Sequence, residues 1–433
     1  MKFKDLFKSK TQDSYPQAES YLQAINKAKH TNLQNICEVS HFNYKQLQYF
    51  ISKGKWSYTE VFNRISNETS KMFLDESPVS LIIDESGWRK KGKHSVGVRR
   101  QYCGNIGKTD NCQVAVFGAL AQGEFSTLVD ARLYIPQDWI NDEARCNKAG
   151  IPKEEQVFKT KIDLAREMIH HQIKQNVRFD YIVFDSYYGC NHKLTQEIDE
   201  LGISFIGDIR SNQHLYLQKP SLVVKEKTSK KGKDPEMLIP DTESITVKDQ
   251  LVNLRKKDFR KTTLRNTAKG KLKVRSYSKK VWIYDKKNSR FLERTLIIRE
   301  NLNKNRSSKY NYFLTNIDVN LGNIKEVLKQ HAQRYFIEHN LKEVKSVLGL
   351  HQTQTRLWLA WYHQIALILL MLSFIFTQKI KKFKLFPILS ANDIGDLLSA
   401  SMENYNIPLK AIEIFFERYF FRQNDVNLVY LRS

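Results

Sequence analysis

The chain reads as an α/β protein whose central core is flanked by helical regions at both ends, and three observations predict it. Between Pro78 and Tyr134, apolar runs alternate with short glycine-bearing turns, the pattern of successive strands. From Lys159 to Asp208, helical spacing alternates with two more apolar runs, which gives the order βββαβαβ with room for one extra edge strand. Two of the runs end in an acid: Leu81-Ile82-Ile83-Asp84 and Tyr181-Ile182-Val183-Phe184-Asp185.

Size and charge bound the partners. At 433 residues and 50.9 kDa the chain has room for two or three domains. A hydrophobic content of 41% with 12% aromatics excludes a disordered chain. A formal net charge of +24, from 70 Lys and Arg against 46 Asp and Glu, attracts polyanions, of which nucleic acid is the commonest. No basic amphipathic stretch beside a lipid anchor suggests a membrane surface instead. Cys37, Cys103, Cys112, Cys146 and Cys190 are odd in number and scattered, which implies reduced thiols in a cytoplasmic setting. Cys103 and Cys112 lack a second pair, so no zinc site is expected. Met1-Lys2-Phe3-Lys4-Asp5 has no signal-peptide core, and the apolar run 365–376 is too short to span a bilayer and reads as a core helix.

Taken in order, residues 1–77 are expected to be helical. Segments 41–53 and 57–73 flank the break Gly54-Lys55-Trp56, with Ser57 as N-cap and Glu60 three residues on. Phe42, Tyr44, Tyr49, Phe50 and Trp56 among basic residues suit either a DNA-binding module or a helical domain packed on a neighbour. The next region, 78–212, carries expected strands at 79–84, 95–102, 113–121 and 126–134. A helix follows at 159–175, with Ile162, Ala165, Ile169 and Ile173 on one face. A strand ending at Asp185, a helix at 192–201 and a strand at 203–207 ending at Asp208 complete it. Asp84 is expected at the exposed C-terminal end of its strand. The segment after it, with Lys90, Lys91 and Lys93, is basic and able to turn back as a hairpin. An acid beside such cations can bind a metal while the cations hold phosphate, although a solvated loop would look the same.

Residues 213–320 depart from this pattern. A basic run occupies 225–233, and 255–280 holds twelve Lys and Arg against one acid, Asp258. Strands are expected at 271–277, 279–284, 294–299 and 310–315, as in a β-rich insertion folded beside the core. Arg255, Lys256, Lys257, Arg260 and Lys261, interleaved with Phe259, Tyr277, Trp282 and Tyr284, suggest DNA contact over a merely solvated face. In 321–433 a helix carries Arg334, Glu338 and Lys345, spaced by four and seven residues and therefore on one face, with Glu343 elsewhere. Surface ion pairing is the plainer account of such a trio. Helices at 358–377 and 391–421 are expected to cover the core.

Asp84, Asp185 and Glu338 in this order make a DDE set. The chain resembles DDE-type insertion-sequence transposases, in the branch whose last acid lies in the signature Y-x2-R-x3-E-x6-K. Arg334-x3-Glu338-x6-Lys345 matches three of its four elements, and His331 stands where the signature has tyrosine. Lys91-Gly92-Lys93-His94-Ser95-Val96-Gly97-Val98, Gln101-Tyr102-Cys103-Gly104 and Asn111-Cys112-Gln113-Val114 are similar to the first-acid region of these enzymes, and Asp185-Ser186-Tyr187-Tyr188-Gly189 to the second.

The resemblance implies a ribonuclease-H-like catalytic core with an inserted β-rich domain between the second and third acids, flanked by N- and C-terminal helical regions. It implies two Mg²⁺ ions, replaceable by Mn²⁺, held by Asp84, Asp185 and Glu338, with Asp208 in reserve. Arg334 and Lys345 would hold phosphate. Trp282 would stack a flipped base if a DNA hairpin forms, or else fill the insertion's own core. The implied reaction is cleavage at the element's terminal inverted repeats, then strand transfer of the freed 3′-OH into target DNA. A homodimer in the synaptic complex and a nucleoid-associated, cytoplasmic location in a bacterium or archaeon go with it. Two rivals are a ribonuclease-H-like nuclease that never joins DNA and a transposase-derived DNA-binding protein. The acids argue against the second and the basic insertion against the first.

Overall fold

The computed structural model describes residues 3–28, 30–224, 238–267, 270–302 and 309–382. The basic run at 225–233 and the helix expected at 391–421 lie outside the described residues. The chain is a mixed α/β protein of two compact units. Described residues through Phe179 and from Tyr335 onward form the first, and Asp180–Arg334 the second.

The first unit begins with helices α1 (Tyr15–Lys27), α2 (Leu33–Glu38), α3 (Tyr44–Lys53) and α4 (Tyr58–Ser70). Ser57 caps α4 as expected, accepting from the Glu60 N–H at 3.2 Å. Asn43 and Gln46 cap α3 reciprocally. Strands β1 (Ser80–Arg89), β2 (Arg99–Cys103), β3 (Lys108–Gln122) and β4 (Phe125–Leu133) follow, then helices α5 (Gln137–Ile140), α6 (Glu143–Lys148) and α7 (Lys161–Lys174).

These strands differ from the expected meander. β3 is the shared strand, antiparallel to β1 on one side and to β2 and then β4 on the other. It is buried without interruption from Cys112 to Gln122, so no polar alternation marks its register. The expected strand at 95–102 is shortened to Arg99–Cys103, because residues 95–98 turn inward, with the Val98 N–H bonded to the Ser95 carbonyl. β1 runs on to Arg89, so Asp84 lies mid-strand opposite Phe117 and not at the strand's end.

The second unit holds β5 (Tyr181–Phe184), α8 (Ser186–Gly189), α9 (His192–Glu200) and β6 (Ser204–Asp208). Short strands β7 (His214–Leu215), β8 (Leu222–Val224), β9 (Leu238–Pro240) and β10 (Ile245–Thr246) precede α10 (Val247–Val252). Long strands β11 (Arg260–Thr267), β12 (Gly270–Asp285) and β13 (Arg290–Asn301), then β14 (Tyr310–Thr315) and helix α11 (Ile324–Ala332), complete it. β5 and β6 are parallel, whereas β6, β14, β13, β12 and β11 pair antiparallel in that order. The basic stretch thus continues the sheet that β5 and β6 begin. Val281, Ile283, Leu296, Ile298 and Leu314 pack against Ile209, Leu215 and Val247 to form its core.

The chain then enters α12 (Arg334–Ser346) and α13 (Trp358–Lys382). By length and composition, Trp358–Lys381 is long and apolar enough to cross a membrane, longer than the run 365–376 suggested, but 89% of its most apolar window is buried inside the protein. It is the core helix of the first unit, packed on α3, α4 and β4. His363 stacks on Trp56 at 3.8 Å and Tyr362 on Tyr58 at 4.4 Å. Phe50 and Trp56 of the N-terminal helices are therefore core residues, while Tyr44 and Tyr49 are exposed.

A buried charge cluster ties β4 to α7. Asp130, fully buried, accepts from the Ala131 N–H at 2.7 Å, Arg132 at 3.2 Å and Gln172 at 3.1 Å, with His171 at 3.2 Å. Burial alone raises its carboxyl pKa, but Arg132 and His171 more than offset this and hold it below the usual range. Asp130→Ala leaves Arg132 without its carboxylate and should cost roughly 3–5 kcal/mol, read as a lower urea midpoint at neutral pH. Because the folded carboxyl titrates below its unfolded value of about 3.9, this stabilisation is complete above that pH and lost as pH falls through the lower folded value. An unchanged midpoint in the variant would refute the assignment.

Candidate active site

Within the first unit, Asp84 is half-buried on β1, and its Oδ1 accepts from the Glu85 N–H at 2.7 Å. Glu85 is paired with Lys161 of α7. Across from this strand lies α12, whose Lys345 donates to Ser86 Oγ at 2.6 Å and to the Gly87 carbonyl at 3.4 Å. Burial lowers the Lys345 pKa, while Cys103 and Asp84 act to raise it, so its ammonium shares the field of the Asp84 carboxylate. Glu338, seven residues earlier on the same helix, is exposed. Glu343 is taken up in packing, ion-paired with Lys379 of α13 at 3.0 Å and near His339 at 3.7 Å. Of the two acids, the one at signature spacing is thus the one presented to solvent. Lys91 and Lys93 are exposed as well, but Lys90 is drawn inward to the Thr353 carbonyl, and burial lowers it to about 8.

Within the second unit, Asp185 caps α8, accepting from the N–H groups of Tyr187 at 2.9 Å and Tyr188 at 3.4 Å. The spacing to Gly189 has a steric reason. A Cβ at Gly189 would lie 2.1 Å from the Asp208 carbonyl oxygen and 2.9 Å from the Gly207 carbonyl carbon. The turn after Asp185 is pressed onto the backbone of β6, which only glycine permits.

Asp208, the reserve acid, is engaged on both oxygens. His331 Nε2 lies 2.6 Å from Oδ1 and Arg334 Nε 3.1 Å from Oδ2. His331 also faces Arg299 through Nδ1 at 3.0 Å and stacks on Phe313 at 4.0 Å. Burial raises the Asp208 carboxyl pKa, but His331, Arg334 and Arg299 together hold it below the ordinary range. The sequence marked His331 as a departure from the signature but offered no cue to its partner, which lies on another strand.

In the basic stretch, Arg255, Lys256, Lys257, Arg260 and Lys261 are exposed. Lys261 sits opposite Arg275 across β11 and β12, with exposed Lys273 diagonal to it. Trp282 is half-buried, and its backbone exchanges two 2.9 Å bonds with Tyr216. Its strand neighbours Val281 and Ile283 belong to the hydrophobic core, so its side chain lies on the opposite face of β12.

Asp84 and Glu338 fall in the first unit and Asp185 in the second. Among the described residues, neither unit by itself gathers three His, Cys, Asp or Glu side chains able to hold a metal ion. The donor chemistry nonetheless suits a hard divalent ion, since all three side chains offer carboxylate oxygen.

Residues 3–271 match the model of a family described as DDE superfamily endonuclease, a span that includes Asp84 and Asp185 and stops before Glu338. The chain is also 30% identical, over 199 residues, to the probable transposase for insertion sequence element IS701 of Microchaete diplosiphon, covering 45% of this chain and 48% of that relative. The chain thus spans about half the length of the curated relative it matches.

The close approach at Gly189 is testable by itself. Gly189→Ala sets a methyl against backbone that cannot rotate away and should destabilise the second unit by roughly 1–3 kcal/mol or more. Gly92→Ala is the control, because a Cβ there meets nothing within 4 Å. Equal denaturation midpoints for the two variants would show that the approach of α8 to β6 is not a constraint.

Proposed function

The chain belongs to the DDE superfamily endonuclease family, and from that membership we propose a transposase that cuts DNA at insertion-sequence ends and transfers the freed 3′-OH into target DNA. The observation that carries the reading is the placement of α12 on β1. Lys345 fastens the helix bearing Glu338 to the strand bearing Asp84, and Arg334 opens that helix at signature spacing. The proposed architecture is a ribonuclease-H-like core in 78–212 and 321–433, with the basic β-rich region 213–320 as its insertion and 1–77 as a helical N-terminal region.

Enzymes of this family use divalent metal ions. Asp84, Asp185 and Glu338 would hold two, with Mg²⁺ the proposed ion and Mn²⁺ a substitute. When bound, the pair supplies an activated water or 3′-OH nucleophile and stabilises the departing 3′-oxygen. The chain's residues do the rest. Two backbone N–H groups fix the Asp185 carboxylate, and Lys345 fixes α12 so that Glu338 keeps its station relative to β1. Arg334, with Lys91, Lys93 and the cations from Arg255 to Lys261, supplies positive charge for the phosphate backbone. The terminal inverted repeats and target DNA are the proposed partners, with a homodimer in the synaptic complex and a bacterial cytoplasm as the setting.

Two experiments test this reading. Asp84→Asn, Asp185→Asn and Glu338→Gln should each lower Mg²⁺-dependent nicking of an element-end duplex by several orders of magnitude, and non-additively, while DNA binding survives. Glu343→Gln should retain nicking, since that acid serves the packing of α12 on α13. Substantial nicking by Glu338→Gln, or its loss in folded Glu343→Gln, would displace Glu338 as the third acid.

Separately, neutralising Lys256, Lys257, Arg260 and Lys261 should flatten the dependence of DNA affinity on salt. The log–log slope should fall by about 0.9 for each phosphate that is no longer neutralised. An unaltered slope would leave the stretch a solvated face.

A further inference from the structure

Asp84 shares one face of β1 with Ser86, Trp88 and Lys90, which follow it at every second position, because the strand pairs with β3 without a bulge as far as Arg89. Each of the three takes hold of the corner where α12 passes into α13. Ser86 accepts from Lys345 at 2.6 Å, Trp88 stacks parallel to Trp361 with ring centroids 6.4 Å apart, and Lys90 donates to the Thr353 carbonyl. The first hold runs from helix to strand and the last from strand to linker, so the two lysines close the corner from opposite sides.

The linker between α12 and α13 is itself tied. A carbonyl can only accept, so His351 Nδ1, 2.7 Å from the Lys345 carbonyl, carries the ring proton and donates to it. Thr353 Oγ1 donates to the Leu350 carbonyl at 3.0 Å. From the turn between α1 and α2, Thr31 donates through its N–H to Gln352 Oε1 at 2.7 Å and through its hydroxyl to the Gly349 carbonyl at 3.1 Å. A displacement at Thr353 is therefore passed to the C-terminal end of α12 and not absorbed on the way.

Lys90 makes its bond against its own solvation. Lys91 and Lys93 beside it stay in water, whereas burial lowers the Lys90 pKa to about 8, and among the described residues no carboxylate meets its ammonium. A cation kept inside without a counter-charge is a feature of working sites more than of packing. Resting on the reading of Asp84 and Glu338 as acids of one site, we propose that Lys90 is a positioning residue. With Lys345 it clasps the α12–α13 corner to β1, and so sets where α12 presents Glu338 along the face that carries Asp84. Lys90 is in this account no DNA contact, although it lies in the same basic segment as Lys91 and Lys93.

The test uses the full chain with Lys90→Met, which removes the donor and keeps an apolar stem, and Lys90→Gln, which keeps an uncharged N–H donor. In the DNA-free protein, Lys90→Met should speed amide hydrogen exchange across 334–353 by about tenfold, the scale of one charge-assisted hydrogen bond, and leave α7 as it is. On an element-end duplex taken from the DNA bordering the gene, the single-turnover rate constant for Mg²⁺-dependent nicking should fall by about 10–100-fold, the scale of a misplacement of about 1 Å. Affinity for that duplex and its salt slope should stay at the wild-type value. Lys90→Gln should recover most of both losses. A first-order rate constant counts only folded, bound molecules, so a merely structural role would lower the amplitude and leave the constant in place.

Unchanged exchange in Lys90→Met would overturn the clasp. Faster exchange beside a full rate constant would overturn the positioning role and leave the clasp as packing. A reduced salt slope with the rate constant intact would make Lys90 a phosphate contact instead. If exchange responds to Lys90→Met but the wild-type protein does not nick, the reading of the acids falls, and the positioning role with it, while the clasp stands.

Discussion

A charge removed from water must be met by a partner, and that requirement organises both units. In the first, Asp130 draws Arg132, His171 and Gln172 around it and so joins β4 to α7. Lys345 carries an ammonium into the interior and has to find Ser86 and the Gly87 carbonyl on β1. Lys90 does the same at Thr353. In the second unit Asp208 gathers His331 and Arg334. The interactions of Asp130 with His171, Lys345 with Ser86 and Asp208 with His331 each join a strand to a helix, so these charged groups also hold helices on strands.

The sequence revealed most where structure is local. The cap at Ser57, the strand before Asp185, the helix before it and the helix that carries Arg334, Glu338 and Lys345 all follow from spacing within a dozen residues. What it hid was set by distant parts of the chain. The strand expected to end at Asp84 runs on through Gly87, where a Cβ would come 3.2 Å from Cys103 Sγ, so the glycine marks a close approach inside β1. β3 lost its period because both faces are buried. His331 with Asp208 and Lys345 with Ser86 are pairs 123 and 259 positions apart, and no local pattern announces them.

The continuity of the sheet from β5 through β6 and β14 to β11 also bears on how DNA would be held. The turn capped by Asp185 and the cations of the basic stretch rest on one hydrogen-bonded framework in the second unit. A phosphate held on β11 or β12 is therefore registered against the strand that ends at Asp208. Rigid placement of that kind favours sites built on strands over sites built on loops.

The burial of α13 among α3, α4 and β4 has a consequence for biosynthesis. Those partners leave the ribosome long before the helix that completes their core, and until it arrives the faces that it covers lack that cover. The first unit cannot finish folding during translation of its own N-terminal half, and its closing step joins segments at opposite ends of the described chain. Folding of that kind is slow and exposes sticky intermediates. Nascent chains that stall before α13 become clients for chaperones or proteases, which makes the abundance of the protein a property of its last core helix.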